Sequence, residues 1–365
     1  MSGPDRVAVL GGGNGALTLA ADLTLAGHRV NLFELPEFWD ALTPVRETGR
    51  IELAGVGRCG TANLEMVTCD IQEALASATI VLVSVPAFGA ARMAEAVAPA
   101  VRDDHLVVCL PGTFGSVAFS QVFRRIGVDA HPVLGDVATL TYGCRKTGPG
   151  AVSIFVEAIK LPAAAIPADA TPRLVAALQE FFPVIEPGHD VVDIALKNVN
   201  PCVHPGPCVL NAGRIEHADD FYLYREGMTP CTRRVMVAID EERMAVREAF
   251  GYGAPHYGLD PMPGVYEVFV EYFGEGSIEQ AGYNMRGPLD VSDRYLTEDI
   301  PYGLVVYSSL GALVDTPTPV CDAVITLGSV INQTDHRAGG CTLESLGLGG
   351  ISAQELTSFA ATGRL

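Results

Sequence analysis

The sequence predicts a doubly wound α/β domain with a mainly parallel sheet, followed by an all-α domain. Three observations predict this order. Unalternated apolar runs, as expected for parallel strands buried on both faces, alternate with helical patterns through the first half of the chain. A glycine-rich turn closes the first of these runs. Beyond residue 190 the apolar residues repeat mainly at helical spacing, which predicts domains at 1–188 and 189–365.

The first predicted strand, Val7–Leu10, is followed by a glycine turn and a helix. Gly11, Gly13 and Ala16 fit the pattern G-x-G-x-x-A of the Rossmann fold. There the first glycine makes the tight turn, the second admits a pyrophosphate, and the third small residue packs helix on strand. Phosphate then sits on free N–H groups at the helix N-terminus. The predicted cofactor-binding residues of this turn are Gly11, Gly13, Asn14, Gly15 and Ala16.

The second predicted strand, Arg29–Glu34, ends in an acid 23 positions after Gly11. A carboxylate at this point accepts hydrogen bonds from the ribose hydroxyls of a dinucleotide and repels a 2′-phosphate. Glu34 therefore favours NAD over NADP. The alternative is a glycine-rich turn in another doubly wound fold.

The rest of the first domain continues the alternation. The predicted strands are Ile51–Val56, Leu64–Thr68, Thr79–Val85, Leu106–Leu110, 132–135 and Ala151–Val156. The predicted helices are Asp70–Ser77, 87–100, 116–126 and one with Thr171 as N-cap and Pro172 as its first residue. Loops are expected around Trp39 and in the proline-rich stretch after Ala151–Val156. Since ligands bind at the carboxyl ends of parallel strands, Pro86, Pro111 and Thr113 are predicted to line the nicotinamide half of the site.

Apolar stripes define the helices of the second domain. One helix carries Val235, Ala238, Ile239, Val246 and Phe250 on one face and the charged residues 240–243 on the other. Another begins at Thr318-Pro319 with the stripe Val320, Val324, Leu327 and Ile331. Leu304–Val314 is an apolar helix, and Ser352 with Glu355 forms a capping box before a short last helix.

The net charge of −19 argues against nucleic acid or an anionic membrane as a partner, because both need basic surface. An anionic substrate therefore needs local arginine or lysine. No run approaches the 18 apolar residues of a membrane-spanning helix. Nine cysteines without a CxxC pair, and no signal peptide pattern, predict reduced, mostly buried thiols in a cytoplasm. Cys202, His204 and Cys208 are too few for a structural zinc site, so no metal is predicted.

Two segments of the second domain carry residues suited to chemistry. In Asn198–Glu216, His204 is flanked by prolines, and a core histidine bonded to a carbonyl is the alternative interpretation. In Asp293–Gly303, Arg294, Glu298 and Asp299 form a polar cluster before an apolar helix, and a charged capping loop is the alternative. The two patterns read N-x-x-x-H-P…L-N-A and R-Y-x-x-E-D.

Together with the N-terminal G-x-G-N-G-A, these patterns resemble the opine dehydrogenases, which include octopine, nopaline and N-carboxyalkyl amino acid dehydrogenases. Further similarity lies in T-L-E-S-L-G-L at 342–348, in Tyr224–Pro230 and in Ile239–Arg243. The resemblance covers the whole chain in the right order.

The resemblance implies roles for particular residues. His204 matches the catalytic histidine and Asp299 the aspartate that pairs with it, which would fix the imidazole tautomer. Arg294 matches an arginine that binds a substrate carboxylate, and Asn200 an asparagine near the nicotinamide. Cys144 matches the cysteine of a C-R pair in the family. Arg294, Asn200, Cys144 and Thr113 are the predicted substrate-binding residues.

The resemblance also implies an activity: NADH-dependent condensation of a pyruvate-like 2-oxo acid with the amine of an amino acid, and the reverse oxidation. A homodimer is expected on the same ground. Two positions depart from the family pattern. Asp136-Val137 stands where E-T is common, and Gly340-Cys341-Thr342 where G-R-T is common. The second change removes a basic residue, for which Arg337 is a candidate substitute.

Two other functions stay open at this point. Lys197-x-x-Asn200 resembles the K-x-x-N of β-hydroxyacid dehydrogenases, with Lys197 as the acid–base group. That scheme gives no role to His204 or to R-Y-x-x-E-D. The third possibility is a protein that binds NAD without catalysis. Tyr222, Tyr224 and Tyr302 are candidates for the amine pocket, with core packing as the alternative.

Overall fold

The computed structural model describes residues 6–217, 219–259, 270–274 and 286–365. The chain forms two compact units. Unit 1 runs through Ile194 and includes Ala360–Arg364, and unit 2 runs from Ala195 to Phe359. The division between the units falls after Ile194, and the sequence pattern predicts a domain boundary near residue 188. None of the described helices is long and apolar enough to cross a membrane.

All strands of the described residues lie in unit 1. They are β1 (Arg6–Leu10), β2 (Arg29–Phe33), β3 (Arg50–Gly55), β4 (Gly60–Asn63), β5 (Met66–Thr68), β6 (Ile80–Val83), β7 (Leu106–Cys109), β8 (Val133–Val137), β9 (Tyr142–Gly148), β10 (Ala151–Glu157), β11 (Leu161–Ile166) and β12 (Ile185–Pro187). The helices of unit 1 are α1 (Asn14–Leu25), α2 (Thr43–Thr48), α3 (Ile71–Leu75), α4 (Ala90–Val97), α5 (Gly115–Ile126) and α6 (Thr171–Gln179), followed by α7 (Val191–Ala195), in which the chain passes to unit 2.

The described regular secondary structure of unit 2 is all helical. Its helices are α8 (Asn200–Val203), α9 (Pro205–Leu210), α10 (Ala212–His217), α11 (Pro230–Ala249), α12 (Val270–Phe273), α13 (Arg294–Thr297), α14 (Val305–Leu313), α15 (Pro319–Ile331) and α16 (Ala353–Thr362). Two π-helical turns, Leu223–Gly227 and Ile300–Leu304, stand between them. The predicted architecture of an α/β domain followed by an all-α domain is confirmed.

The main sheet of unit 1 has the order β12-β11-β8-β7-β6-β1-β2-β5. Its pairs are parallel except that β11 runs antiparallel to β8. In the centre Val9 of β1 lies opposite Leu32 of β2 and Leu82 of β6, and all three are fully buried. Burial on both faces explains why these strands show no alternation of apolar and polar residues. The doubly wound, mainly parallel sheet predicted from the sequence is therefore confirmed.

A second sheet, with the order β4-β3-β10-β9, was not predicted. Predicted strands at Ile51–Val56 and Ala151–Val156 exist, but they pair with each other in this sheet and not in the main one. Alternation along the chain predicted one sheet because sequence patterns report strands and not their partners. Which strands pair in the second sheet is therefore determined by the tertiary structure.

Two predicted loops are also wrong. The proline-rich stretch contains β11, in which Pro162 accepts a hydrogen bond from Ala138 N–H through its carbonyl. A proline fits a strand where its carbonyl alone is used. Around Trp39 the chain forms a 3₁₀ helix, Pro36–Leu42, that continues into α2.

One buried carboxylate holds α1 against the second sheet. Asp22 of α1 accepts hydrogen bonds from Arg58 Nη1 at 2.9 and 3.0 Å, one to each oxygen. The Tyr142 hydroxyl, at the start of β9, donates to Asp22 Oδ2 at 2.6 Å. Three hydrogen bonds satisfy this carboxylate and replace the water it loses on burial. Strand β9 is therefore fixed along α1.

Of the four charged residues predicted opposite the apolar stripe of α11, Glu241 is exposed, but two are buried. Asp240 and Arg243 are only 1% and 0% exposed. Arg243 Nε donates to Asp240 Oδ1 at 2.8 Å, and its Nη1 donates to the carbonyls of His256 and Leu196. Leu259 N–H donates to Asp240 Oδ2 at 2.7 Å. The pair is buried because each charge neutralises the other and further hydrogen bonds satisfy the remaining atoms.

Helix α15 begins where the sequence predicts, but a different face of it is buried. Thr318 is the N-cap residue of α15 and Pro319 its first residue, as predicted, but Leu327 of the predicted stripe is half exposed. The buried stripe is Cys321, Val324, Ile325 and Gly328, rotated from the predicted one.

Two capping predictions for other helices had opposite outcomes. Thr171 is not an N-cap, because it is already the first residue of α6 and its Oγ1 accepts from Ala165 N–H at 3.0 Å. The capping box before α16 is confirmed, since Ser352 N–H donates to Glu355 Oε2 at 2.7 Å and Glu355 N–H to Ser352 Oγ at 3.2 Å.

Asp136, one of the two departures from the family pattern, lies fully buried at the end of β8. Its two oxygens accept hydrogen bonds from Ser116 N–H and Ser116 Oγ, both at 2.8 Å. A Cβ on Gly112 would lie only 2.4 Å from the Asp136 side chain. The aspartate thus ties β8 to the start of α5, and the turn after β7 packs against it. Burial raises its pKa to about 8, although the bonds from Ser116 oppose this shift.

The raised pKa predicts a pH dependence of stability. Between about pH 4 and pH 8 the folded chain holds a proton on Asp136 that the unfolded chain has lost, so the stabilising contribution falls as pH rises. The slope from one such group is at most about 1.4 kcal/mol per pH unit. We expect Asp136→Asn to remove this slope from urea midpoints measured at pH 5 and pH 8. Exposed Asp129→Asn is the control, and equal slopes in both variants would contradict the assignment.

Candidate active site

The glycine turn after β1 has the geometry that a pyrophosphate needs. Gly11 has a φ of 121°, and a Cβ there would lie 2.5 Å from the Ser84 carbonyl oxygen. At Gly13 a Cβ would meet nothing within 4 Å, so the space above this residue is open. Helix α1 begins at Asn14, and in the described chain no side chain caps its N-terminus. Open space beside free N–H groups fits a phosphate ligand.

Glu34 lies beside this turn, immediately after β2. Its Oε1 accepts a hydrogen bond from Leu35 N–H at 2.8 Å, and a Cβ on Gly12 would lie 2.7 Å from its Oε2. Burial raises the pKa of Glu34, while hydrogen bonds from Leu35 and Gly12 and the charge of Lys146 oppose the shift. A hydrogen-bonded carboxylate at this point fits the ribose end of a dinucleotide.

The predicted nicotinamide-side residues lie at the carboxyl ends of β6 and β7. Pro111 and Thr113 line a cavity together with Val85 and Cys109. Pro86 stands between two lining residues of the same cavity, Val85 and Ala87. Cys144, predicted on the substrate side, is buried in β9 of the second sheet, opposite Ile154.

In unit 2 the structure brings His204 and Asp299 together. His204 Nδ1 lies 2.7 Å from Asp299 Oδ2, and each residue is only 7% exposed. With the carboxylate accepting, Nδ1 carries the proton and the tautomer is fixed. The two residues stand 95 positions apart in the chain.

Local structure presents the imidazole. His204 is the junction residue between α8 and α9, and its N–H donates to the Asn200 carbonyl at 3.0 Å. Pro205 has no N–H, so it cannot continue the helical hydrogen bonding and α9 begins there. Asn200, the first residue of α8, therefore supports His204 through its backbone.

Two tyrosines complete the surroundings of the imidazole. The Tyr224 hydroxyl lies 3.1 Å from His204 Nε2, and because Nδ1 carries the proton the hydroxyl is the donor. The Tyr295 ring stacks on the imidazole at 3.9 Å between centroids and 13° between planes. From the sequence, Tyr224 is only one of three candidates for an amine pocket, and Tyr295 has no predicted role. Tyr295 is the tyrosine of R-Y-x-x-E-D, one helical turn before Asp299, and that spacing was the available clue.

Arg294 lies on the same short helix, α13. Asp293 caps this helix by accepting from Tyr295 N–H at 3.0 Å. The Arg294 Nε pairs with Glu298 Oε2 at 3.0 Å, and the guanidinium side chain is 51% exposed. Arg294 is thus a half-exposed cation five positions before Asp299. Such a guanidinium provides planar, bidentate binding of a carboxylate.

The other cation considered, Arg337, has structural partners. Its Nη2 lies 2.5 Å from Asp322 Oδ1, and its Nη1 donates to Ser308 Oγ at 3.0 Å. It therefore links the segment after α15 to α14 and α15. Cys341, at the position of the missing basic residue, donates its N–H to the Pro301 carbonyl at 2.8 Å.

The thiols near His204 do not form a metal cluster. Burial raises the pKa of both the Cys202 and Cys208 thiols well above the usual range, which disfavours the thiolate that a metal needs. Across the described ranges, no three histidine, cysteine or acidic residues are grouped to hold a metal. All nine cysteines are free and six are buried, as predicted.

Lys197, the acid–base group of the alternative function, is buried in an aromatic environment. Its Nζ lies 5.5 Å from the centroid of the Tyr257 ring, and its carbonyl accepts from the Tyr272 hydroxyl. A cation over an aromatic face is stabilised by the ring quadrupole.

Comparisons with known proteins agree with the resemblance. A family model described as NAD/NADP octopine/nopaline dehydrogenase, alpha-helical domain, matches residues 187–332. The opine dehydrogenase of Arthrobacter sp. (strain 1C) is 33% identical over 360 residues, which are 96% of this chain and 97% of the relative.

Two solved structures share the fold. An octopine dehydrogenase described with NADH and pyruvate has a TM-score of 0.68 at 21% identity and covers 95% of this chain and 98% of its own. A yersinopine dehydrogenase described with NADP⁺ has a TM-score of 0.64 at 12% identity and covers 98% of each chain. With 33% identity to an opine dehydrogenase over nearly the full length of both sequences, the chain belongs to the opine dehydrogenase family of oxidoreductases.

Proposed function

We propose that the protein condenses a 2-oxo acid such as pyruvate with the amine of an amino acid, using NADH, and catalyses the reverse oxidation. The observation that carries this proposal is the 2.7 Å hydrogen bond between His204 and Asp299, in a member of the opine dehydrogenase family. The solved octopine dehydrogenase described with NADH and pyruvate supports the choice of oxo acid.

The reaction needs proton transfers at two steps. The amine adds to the keto carbon to give a carbinolamine, which loses water to give an imine. When bound, NADH would supply the hydride that reduces the carbon of the protonated imine, which gives a secondary amine with two carboxylates. His204 is suited to moving these protons because a neutral imidazole has one nitrogen that donates and one that accepts a proton, and Asp299 holds its tautomer. Tyr224 is the hydroxyl on the Nε2 side of the ring, through which that nitrogen exchanges a proton.

Arg294 is the proposed binding group for the carboxylate of the oxo acid. The protein carries a net charge of −19, so an anionic substrate depends on a local cation. The guanidinium is half exposed, and a substrate carboxylate replaces or joins Glu298 as its partner. Asn200, Cys144 and Thr113 stay predictions as substrate contacts.

For the cofactor we propose NAD. Glu34, beside the glycine turn, accepts from ribose hydroxyls and repels a 2′-phosphate. The yersinopine dehydrogenase described with NADP⁺ has the same fold, so the fold alone does not select the cofactor. The proposal of NAD therefore rests on Glu34. A homodimer and a cytoplasmic location stay predictions that rest on the resemblance and on the free thiols.

A coupled-substrate assay tests the function. We expect NADH oxidation that requires both pyruvate or glyoxylate and an amino acid, because the hydride acceptor is an imine formed from the two. A panel of amino acids identifies the amine. NADH loss with pyruvate alone, or NAD⁺ reduction by 2- or 3-hydroxy acids without an amine, would instead favour the β-hydroxyacid dehydrogenase function with Lys197.

Replacing either residue of the His204–Asp299 pair should lower kcat and leave the binding of NADH unchanged. We expect kcat to fall on the order of 100- to 10,000-fold in His204→Asn and Asp299→Asn, the range of general acid–base catalysis. His189→Asn is the matched control and should keep its turnover. His189 also pairs with an aspartate, Asp190, at 3.1 Å, but its side chain is exposed. Near-full turnover in His204→Asn with NADH still bound would refute the assignment.

Tyr224→Phe tests the hydroxyl on His204 Nε2 separately. Because this change removes one hydrogen bond and keeps the ring, we expect kcat to fall about tenfold, with the Kd for NADH unchanged. Tyr252→Phe is the control, since Tyr252 is also a buried tyrosine of unit 2 and stacks on Phe250 at 6.1 Å between ring centroids. Equal turnover in the two variants would mean that Tyr224 only packs.

A further inference from the structure

The second sheet places a lysine beside the glycine turn. Lys146 lies on β9 with an exposed side chain, and its N–H donates to Asn14 Oδ1 at 2.9 Å. Asn14 is the first residue of α1, where the free N–H groups face the open space at Gly13. A strand of the second sheet therefore reaches the phosphate end of the predicted cofactor site.

Two contacts fix how β9 runs along α1. Tyr142 bonds to Asp22, and Lys146, four residues on, bonds to Asn14, eight residues earlier in the helix. Four strand residues span about 13 Å and eight helical residues about 12 Å, so the two contacts agree. The strand runs antiparallel to the helix and is held at both ends. The position of Lys146 is thus set by tertiary structure and not by a mobile loop.

Charge links Lys146 to Glu34 as well. The ammonium favours the Glu34 carboxylate and opposes the rise of its pKa on burial. Glu34 in turn opposes the fall in the pKa of Lys146 that partial desolvation of its ammonium causes. Lys146 therefore bonds through its backbone to Asn14 at the phosphate end, and its charge acts on Glu34 at the ribose end.

We propose that Lys146 binds a phosphate oxygen of the dinucleotide and that the Glu34–Lys146 pair decides between NAD and NADP. This proposal rests on the dinucleotide binding of the proposed function. A lysine supplies a point charge and three donors, which suits phosphate. Glu34 neutralises that charge toward the ribose and repels a 2′-phosphate. Without the Glu34 charge, the same ammonium attracts a 2′-phosphate.

The first experiment titrates the folded proteins with NADH and follows nicotinamide fluorescence. We expect Lys146→Gln to raise the Kd about tenfold or more, Lys146→Arg to retain most of the affinity, and high salt to weaken the wild type more than Lys146→Gln. Lys160→Gln is the control: Lys160 pairs with Glu186 at 3.6 Å at the β12 edge of the sheet, away from β2. An unchanged Kd in Lys146→Gln would overturn the proposal.

The second experiment titrates NADPH in a double-mutant cycle. We expect Glu34→Gln to tighten NADPH binding about tenfold or more, and Glu34→Gln with Lys146→Gln to lose that gain. An equal gain with and without Lys146 would overturn the role of the pair. The outcome is separate from catalysis: a wild type that binds NADH but condenses no substrates refutes the proposed function and leaves the lysine's role measurable. A wild type that binds neither dinucleotide overturns both.

Discussion

The hydrogen bond between His204 Nδ1 and Asp299 Oδ2 is the constraint that organises the candidate site in unit 2. Two segments far apart in sequence must each present one side chain at a buried point. In the first, Pro205 breaks the helix just after the histidine. In the second, Asp293 caps the short helix that ends before Asp299, and Tyr295 on this helix stacks on the imidazole. Local structure in both segments therefore serves one tertiary contact.

The segment leading to His204 is fixed by buried side chains that play no direct part in the proposed chemistry. Arg243, neutralised by Asp240, donates to the Leu196 carbonyl. Tyr272 and Tyr307 donate to the next two carbonyls, those of residues 197 and 198. Three successive backbone carbonyls just before α8 are thus held by long side chains from other helices. This support matters for proton transfer, because small displacements of the imidazole would lower the reaction rate.

In unit 1 the second sheet fixes a residue of the proposed cofactor site in the same way. A glycine turn and a helix N-terminus bind phosphate through backbone groups alone. The Asp22 cluster holds β9 on α1, and β9 adds a side chain cation where the chain as a whole is strongly acidic. The insertion of this sheet into a doubly wound domain thus has a place in the proposed binding of the cofactor.

The sequence by itself determined what depends on neighbours along the chain: the strand and glycine turn before Asn14, the acid at Glu34 and the capping box at Ser352. Its motifs also named His204 and Asp299 through family resemblance. Tertiary structure alone decided the second sheet, the burial of Arg243 and the stacking of Tyr295 on the imidazole. The physical reason is that periodicity reports the polarity of a position and not its partner. Arg243 is buried only because Asp240 and three carbonyls satisfy it, and these pairings exist only once the chain is folded.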